Sequence, residues 1–129
     1  MINWNFEQKT MASHNELGKI GEGLAIAFLK DNGYKILEKN YRFQKAEVDI
    51  IAFKDEILVG VEVKTRSTAH FGNPQEFVKT EQIQRLVLAM NHYAEEEDLD
   101  AEIRLDIVAI VKNASATKIE LIEDAFYYF

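Results

Sequence analysis

The chain of 129 residues contains no cysteine. Disulfides and thiolate metal sites are therefore excluded, and a reducing compartment, the cytoplasm, is the expected location. No segment approaches the roughly 20 apolar residues of a membrane-spanning helix. The opening residues, MINWNFEQKT, mix polar and apolar types and hold no stretch of signal-peptide length. Low-complexity tracts and internal repeats are missing too. What is present is 47% hydrophobic side chains, enough for one domain around one core. Residues 1–12 read as an N-terminal extension and residues 13–129 as that domain.

Basic charge is also scarce, since the formal net charge is −7. Nucleic-acid-binding domains are usually basic, so the total argues against such a partner. The distribution argues differently. Residues 86–129 hold ten acids and three bases, which accounts for the whole −7, whereas residues 30–85 hold ten bases and nine acids. A local basic surface around Lys45, Arg66, Lys79 and Arg85 is compatible with the overall acidity, and a solvated mixed-charge surface is the competing reading.

Hydrophobic spacing outlines the elements. Ser13 with Glu16 forms a capping-box pattern, and Leu17, Gly21, Leu24 and Phe28 recur at helical spacing up to a stop at Gly33. Gly18, Gly21 and Gly23 inside that helix each cost on the order of 1 kcal/mol relative to alanine, which points to a close backbone approach. Strand-like runs follow in YKILEKNYRF, EVDIIAF and ILVGVEVKT, the last two joined by KDE as a hairpin. Asn73, Pro74 and Glu76 form the start signal of a second helix, whose buried face is Ile83, Leu86, Val87, Met90 and Ala94. That helix should fray in EEEDLD, where acids oppose the macrodipole. IRLDIVAIV and TKIELIE supply two more strands. Helix, three strands, helix and two strands make an α/β fold with a mixed sheet flanked by helices.

One strand carries charge where core is expected: VGVEVKTRS, Val59–Ser67. With the hairpin turn centred on Lys54 and Asp55, Asp49 faces Gly60 and Glu47 faces Glu62. Alternation then projects Glu47, Asp49, Gly60, Glu62 and Lys64 from one side, and Val48, Ile50, Val59, Val61 and Val63 from the other. Clustered carboxylates repel unless a cation offsets them, and oxygen ligands suit Mg2+ or Mn2+. The glycine opposite Asp49 would leave volume for the ion, and Lys64 could polarise a water for attack on phosphorus. A solvated strand face with a cross-strand ion pair is the competing reading of Glu62 and Lys64.

EVDII followed by VEVKTR resembles the D-(x)n-E-x-K signature of restriction-endonuclease-like nucleases. From about Asn15 onward the chain resembles the YraN-type family of small bacterial proteins, which is similar to Holliday junction resolvases. The likeness is carried by ELGKIGEGLA, NYRFQKAEVDIIA, VEVKTRS, FGNPQEFV, RLDIVAI and DAF. It implies a restriction-endonuclease-like fold, with Asp49, Glu62 and the Val63 carbonyl as metal ligands, Lys64 as the catalytic lysine and Glu22 as a further acid at the same site. It further implies Mg2+- or Mn2+-dependent hydrolysis of DNA, in branched or structured form, by a homodimer. Two positions depart from the family: Ala46 replaces a frequent glycine, and Gln82 replaces a lysine of the second helix, leaving Lys79 and Arg85 to compensate. A binding module with weak or no cleavage, and an RNA-processing nuclease, are the alternatives. Arg104 and Asp106 read as a structural ion pair, His14, His70 and His92 lack metal-ligand spacing, and AFYYF reads as core edge.

Overall fold

The computed structural model describes residues 4–68 and 78–126, with side chains from residue 15 onward in those spans. Helix α1 (Trp4–Asp31) leads into strands β1 (Lys35–Phe43), β2 (Ala46–Lys54) and β3 (Ile57–Arg66). Helix α2 (Thr80–Glu96) then precedes β4 (Glu102–Lys112) and β5 (Thr117–Ile122). The strands form one sheet in the order β1-β2-β3-β4-β5, antiparallel throughout except that β3 and β4 run parallel. Parallel neighbours cannot be joined by a tight turn, and the chain crosses from β3 to β4 through α2. The α/β order read from the sequence is the order found, and it is consistent with a restriction-endonuclease-like fold.

Each helix covers one face of the sheet. Ala25 and Leu29 of α1 pack with Tyr34, Ile50, Val59, Val61 and Val108, whereas Ile83, Leu86 and Met90 of α2 pack with Val48, Ile51, Leu58, Leu105 and Ile107. Strand β3 is thus buried on both sides, the environment in which a strand reads as a nearly continuous apolar run. Val59, Val61 and Val63 share the α1 face, as alternation requires. The opposite face, carrying Gly60 and Glu62, lies under α2. A Cβ at Gly60 would stand 2.8 Å from Met90 Sδ and 3.1 Å from Leu105 Cδ2. That glycine makes room for Met90, so the expectation that it leaves volume for an ion is corrected.

The boundaries differ in part from the sequence signals. Helix α1 begins at Trp4 and runs through Ser13, so the Ser13–Glu16 pattern is not its start. Its end is as expected: Gly33 adopts φ 87°, and the N–H groups of Gly33 and Tyr34 donate to the carbonyls of Lys30 and Leu29 at 3.0 and 2.9 Å. The buried stripe of α1 is Gly21, Ala25 and Leu29 rather than Gly21, Leu24 and Phe28. Of its three glycines only Gly21 abuts another element, since a Cβ there would collide with Thr65 of β3 while Gly18 and Gly23 have nothing within 4 Å. Helix α2 starts at Thr80 behind an extended Lys79 with no side-chain cap, and Asn73, Pro74 and Glu76 lie outside the described residues. It stops at Glu96, with no basic residue in its last turn to offset the acids.

These contacts predict opposite outcomes for two glycine substitutions. Gly18→Ala should raise unfolding stability by about 0.5–1 kcal/mol through helix propensity, and Gly60→Ala should lower it by about 1–3 kcal/mol through overpacking against Met90. Urea denaturation of both variants measures the difference, and a stabilised Gly60→Ala would contradict the packing described.

Candidate functional site

The β2–β3 turn consists of Asp55 and Glu56, both left-handed at φ 52° and 63°, and the ladder runs from Lys54↔Ile57 to Ile50↔Val61. The turn centre is one residue later than the sequence suggested. Gly60 therefore pairs with Ile51, not with Asp49. Pairing moves by two positions, so faces are not inverted, and extending the ladder sets Asp49 rather than Glu47 opposite Glu62. Strand β2 also changes phase at Asp49: Val48 and Ile51 join the α2-side cluster, and Ile50 and Ala52 the α1-side cluster. Val48 and Ile50, expected on one face, are parted. On β1 the left-handed Asn40 (φ 51°) lies between the Lys39↔Ile50 and Tyr41↔Val48 pairs, beside the same point. Asp49 Oδ2 accepts the Val63 N–H at 2.8 Å, a side chain serving where the backbone ladder has ended.

Glu62 is 9% exposed and lines a narrow hollow with Val48, Leu86, Leu105, Asp106 and Phe126 that has no room for water. Burial above all, then its hydrogen bond with Asp49 and the charge of Asp49, push its carboxyl up to about 9, against the pull of Lys64. Gln82 of α2 donates from Nε2 to Glu62 Oε2 at 3.1 Å. Lys64 is half-buried two residues along the strand, on the Glu62 side by alternation. Glu22 of α1 faces the same acids: burial first, then Asp49 and Glu47, raise its pKa, while Asn40 and Lys39 oppose the shift. The Asn40 amide, turned with its nitrogen toward the acids, donates to Glu22 Oε1 and Glu47 Oε1, both at 3.2 Å. Glu47 also pairs with Arg42 at 3.0 Å.

The donor chemistry can be tested against a divalent cation. Two ionised carboxylates in this position repel each other, and Asp49 accordingly raises the pKa of Glu62. A hard divalent cation would relieve the same repulsion, and the carboxylate oxygens of Asp49 and Glu62 are of the kind that would hold Mg2+ or Mn2+. Among the described residues no three acids or histidines converge into a ready-made cage. Glu22 has the Asn40 amide as its hydrogen-bond partner.

Four of the five phosphate-binding candidates come together. Lys45, from the β1–β2 turn, and Lys79, Gln82 and Arg85, from the start of α2, line one cleft of about 260 Å3 with Ala46, Glu81 and Leu86. Gln82 therefore touches both the cleft and Glu62. Arg66 does not line this cleft; it ends β3 and donates to the Thr65 carbonyl at 2.9 Å. Sequence reasoning missed Asn40, although asparagine is disfavoured within strands and was a signal. It also missed that Gln82 reaches Glu62, for which the sequence holds no local cue. The Arg104–Asp106 ion pair is present at 2.9 Å, with Tyr34 Oη and the Asp124 N–H completing a buried network that ties down the C-terminal turn. His92 pairs with Glu96 at 2.8 Å, while the side chains of His14 and His70 lie outside the described residues. Ala125 and Phe126 are buried, and the rest of AFYYF is likewise outside.

The model of uncharacterised protein family UPF0102 matches residues 21–110. The chain belongs to the UPF0102 family. These are the YraN-type proteins that its motifs resemble. Among UPF0102 relatives, the protein of Christiangramia forsetii is 64% identical over 92% of this chain and 100% of its own length. That of Flavobacterium psychrophilum is 60% identical over the same shares, and that of Bacteroides thetaiotaomicron 43% over 91% of this chain and 97% of its own. The UPF0102 match spans Glu22, Asp49, Glu62, Lys64, Gln82 and Arg85.

The Glu62 environment predicts a pH dependence of stability. Its folded-state pKa of about 9 exceeds the unfolded value of roughly 4.3. Stability from burying the neutral carboxyl is complete below the unfolded value and is lost as pH rises toward the folded one. In EDTA, the Tm of Glu62→Gln should gain on that of the parent protein as pH increases from about 5 to about 8. A constant or shrinking difference would contradict the burial described.

Proposed function

We propose that this UPF0102 chain is a metal-dependent endonuclease that hydrolyses phosphodiester bonds in DNA, in branched or structured forms. The observation that carries the reading is the Asp49–Glu62 pair, joined through Gln82 to a cationic cleft. Asp49 and Glu62 would hold Mg2+ or Mn2+, with the Val63 carbonyl as a further ligand and Glu22 as an outer one. Such a cation, when bound, offsets charge on the reacting phosphate and makes a neighbouring water more acidic. Lys64 supplies a positive Nζ that orients the attacking water and steadies the developing negative charge. Lys45, Lys79 and Arg85 neutralise backbone phosphates, which gives register without base specificity. Gln82 keeps the Glu62 carboxyl aimed toward Asp49. A symmetric homodimer, which would present two such centres to a branched substrate, belongs to the same proposal.

The second reading is a nucleic-acid-binding module of the same fold with weak or no cleavage. It is favoured by a neutral glutamine, Gln82, where a charged group would serve a phosphate.

Incubation with a four-way junction, a flap and plain duplex, with Mn2+, Mg2+ or EDTA, decides between them. Metal-dependent cleavage is expected, lost in Glu62→Ala and Asp49→Asn and reduced on the order of 10²–10⁴-fold in Lys64→Ala. Cleavage that survives Glu62→Ala would sink the nuclease reading, and binding without cleavage of any substrate would favour the module. Calorimetric titration with Mn2+ should show binding that Asp49→Asn removes.

A further inference from the structure

Lys45 and Arg85, which line the cleft, also line a second hollow of about 170 Å3 together with Phe43, Gln44 and Leu88. Its chemistry is different. Phe43 and Gln44 belong to the β1–β2 hairpin tip, where Phe43 pairs with Ala46 and Gln44 turns the chain at φ 55°. Leu88 projects from α2 and is 56% exposed. The Phe43 ring stacks on His92 with centroids 4.0 Å apart and planes 23° from parallel, and His92 is anchored in turn by Glu96 at 2.8 Å. A stacked aromatic pair and an exposed leucine thus stand beside two cations. Among the described residues no acid lines this hollow, since Glu81 lines only the first.

A duplex gripped by its backbone offers this wall nothing, because its base faces are stacked inside. An unpaired nucleotide offers both a phosphate for Lys45 and Arg85 and a flat apolar face for Phe43 and Leu88. We propose that the hollow receives an unpaired nucleobase, so that the DNA bound carries a single-stranded segment beside the strand in the cationic cleft. The inference rests on the DNA reading above for the strand in the cleft. It adds the substrate class: a fork, a flap or a junction with unpaired bases, rather than continuous duplex.

Fluorescence anisotropy in EDTA tests it without recourse to cleavage. The probes are a forked DNA and a duplex of the same sequence, the fork carrying 2-aminopurine in its unpaired arm. The fork should bind about tenfold more tightly than the duplex, with 2-aminopurine emission quenched by stacking. Phe43→Leu and Leu88→Gln should each reduce that preference severalfold and relieve the quenching while leaving duplex affinity unchanged. Leu88→Gln alters an exposed side chain, so it keeps the test valid where Phe43→Leu disturbs folding. Equal affinity for fork and duplex, or variants that weaken both alike, would overturn the inference, as would tighter binding of an RNA fork. Fork preference in a protein that cuts no substrate would uphold it and reject the nuclease reading, whereas no binding of any DNA would reject both.

Discussion

The site depends on one juxtaposition, two carboxyl groups meeting where strand β2 parts from strand β3. Asp49 sits one residue past the last step of the ladder and takes the Val63 N–H with its side chain. Glu62 lies beneath α2 in a space that excludes water, so its negative charge is costly unless something positive is supplied. Burial first, then the neighbouring Asp49, raises its pKa accordingly. Closely placed like-charged acids are rare in a purely structural role, because nothing in the fold benefits from their repulsion.

Helix α2 serves two ends at once. Its apolar face seats Met90 over Gly60 and closes the core, and the same rigid body carries Gln82 to Glu62 and Lys79 and Arg85 to the cleft. The glycine on β3 is therefore tied to the chemistry indirectly. Helix α1 makes the equivalent approach on the other face through Gly21 against Thr65, and this brings Glu22 to within the electrostatic reach of Asp49. Both helices reach the acids through a glycine that removes a side chain at the contact.

Much of this architecture was legible from local patterns. The order of elements followed from apolar spacing, the stop of α1 from Gly33, and the shared face of Val59, Val61 and Val63 from strand alternation. Other positions misled for physical reasons. Ser13 and Glu16 carry a capping pattern but lie inside a longer helix, and a local signal has no means of registering that the helix continues upstream. The β2–β3 turn uses two acids in left-handed conformations, a backbone state whose usual sequence marks are glycine and asparagine. Its position could therefore be read one residue early.

The sequence by itself determined the inventory: acids and a lysine at strand spacing, bases gathered in the middle of the chain, glycines where helices meet the sheet, and no cysteine to offer another chemistry. Tertiary structure alone decided how that inventory is used. It showed that Gly60 accommodates Met90 rather than an ion, that Asp49 stands at a break in the β2 alternation, and that Gln82 spans from the cleft to Glu62. Periodicity reports which side of its own strand a residue occupies. It does not report what another element, distant in sequence, brings to that side.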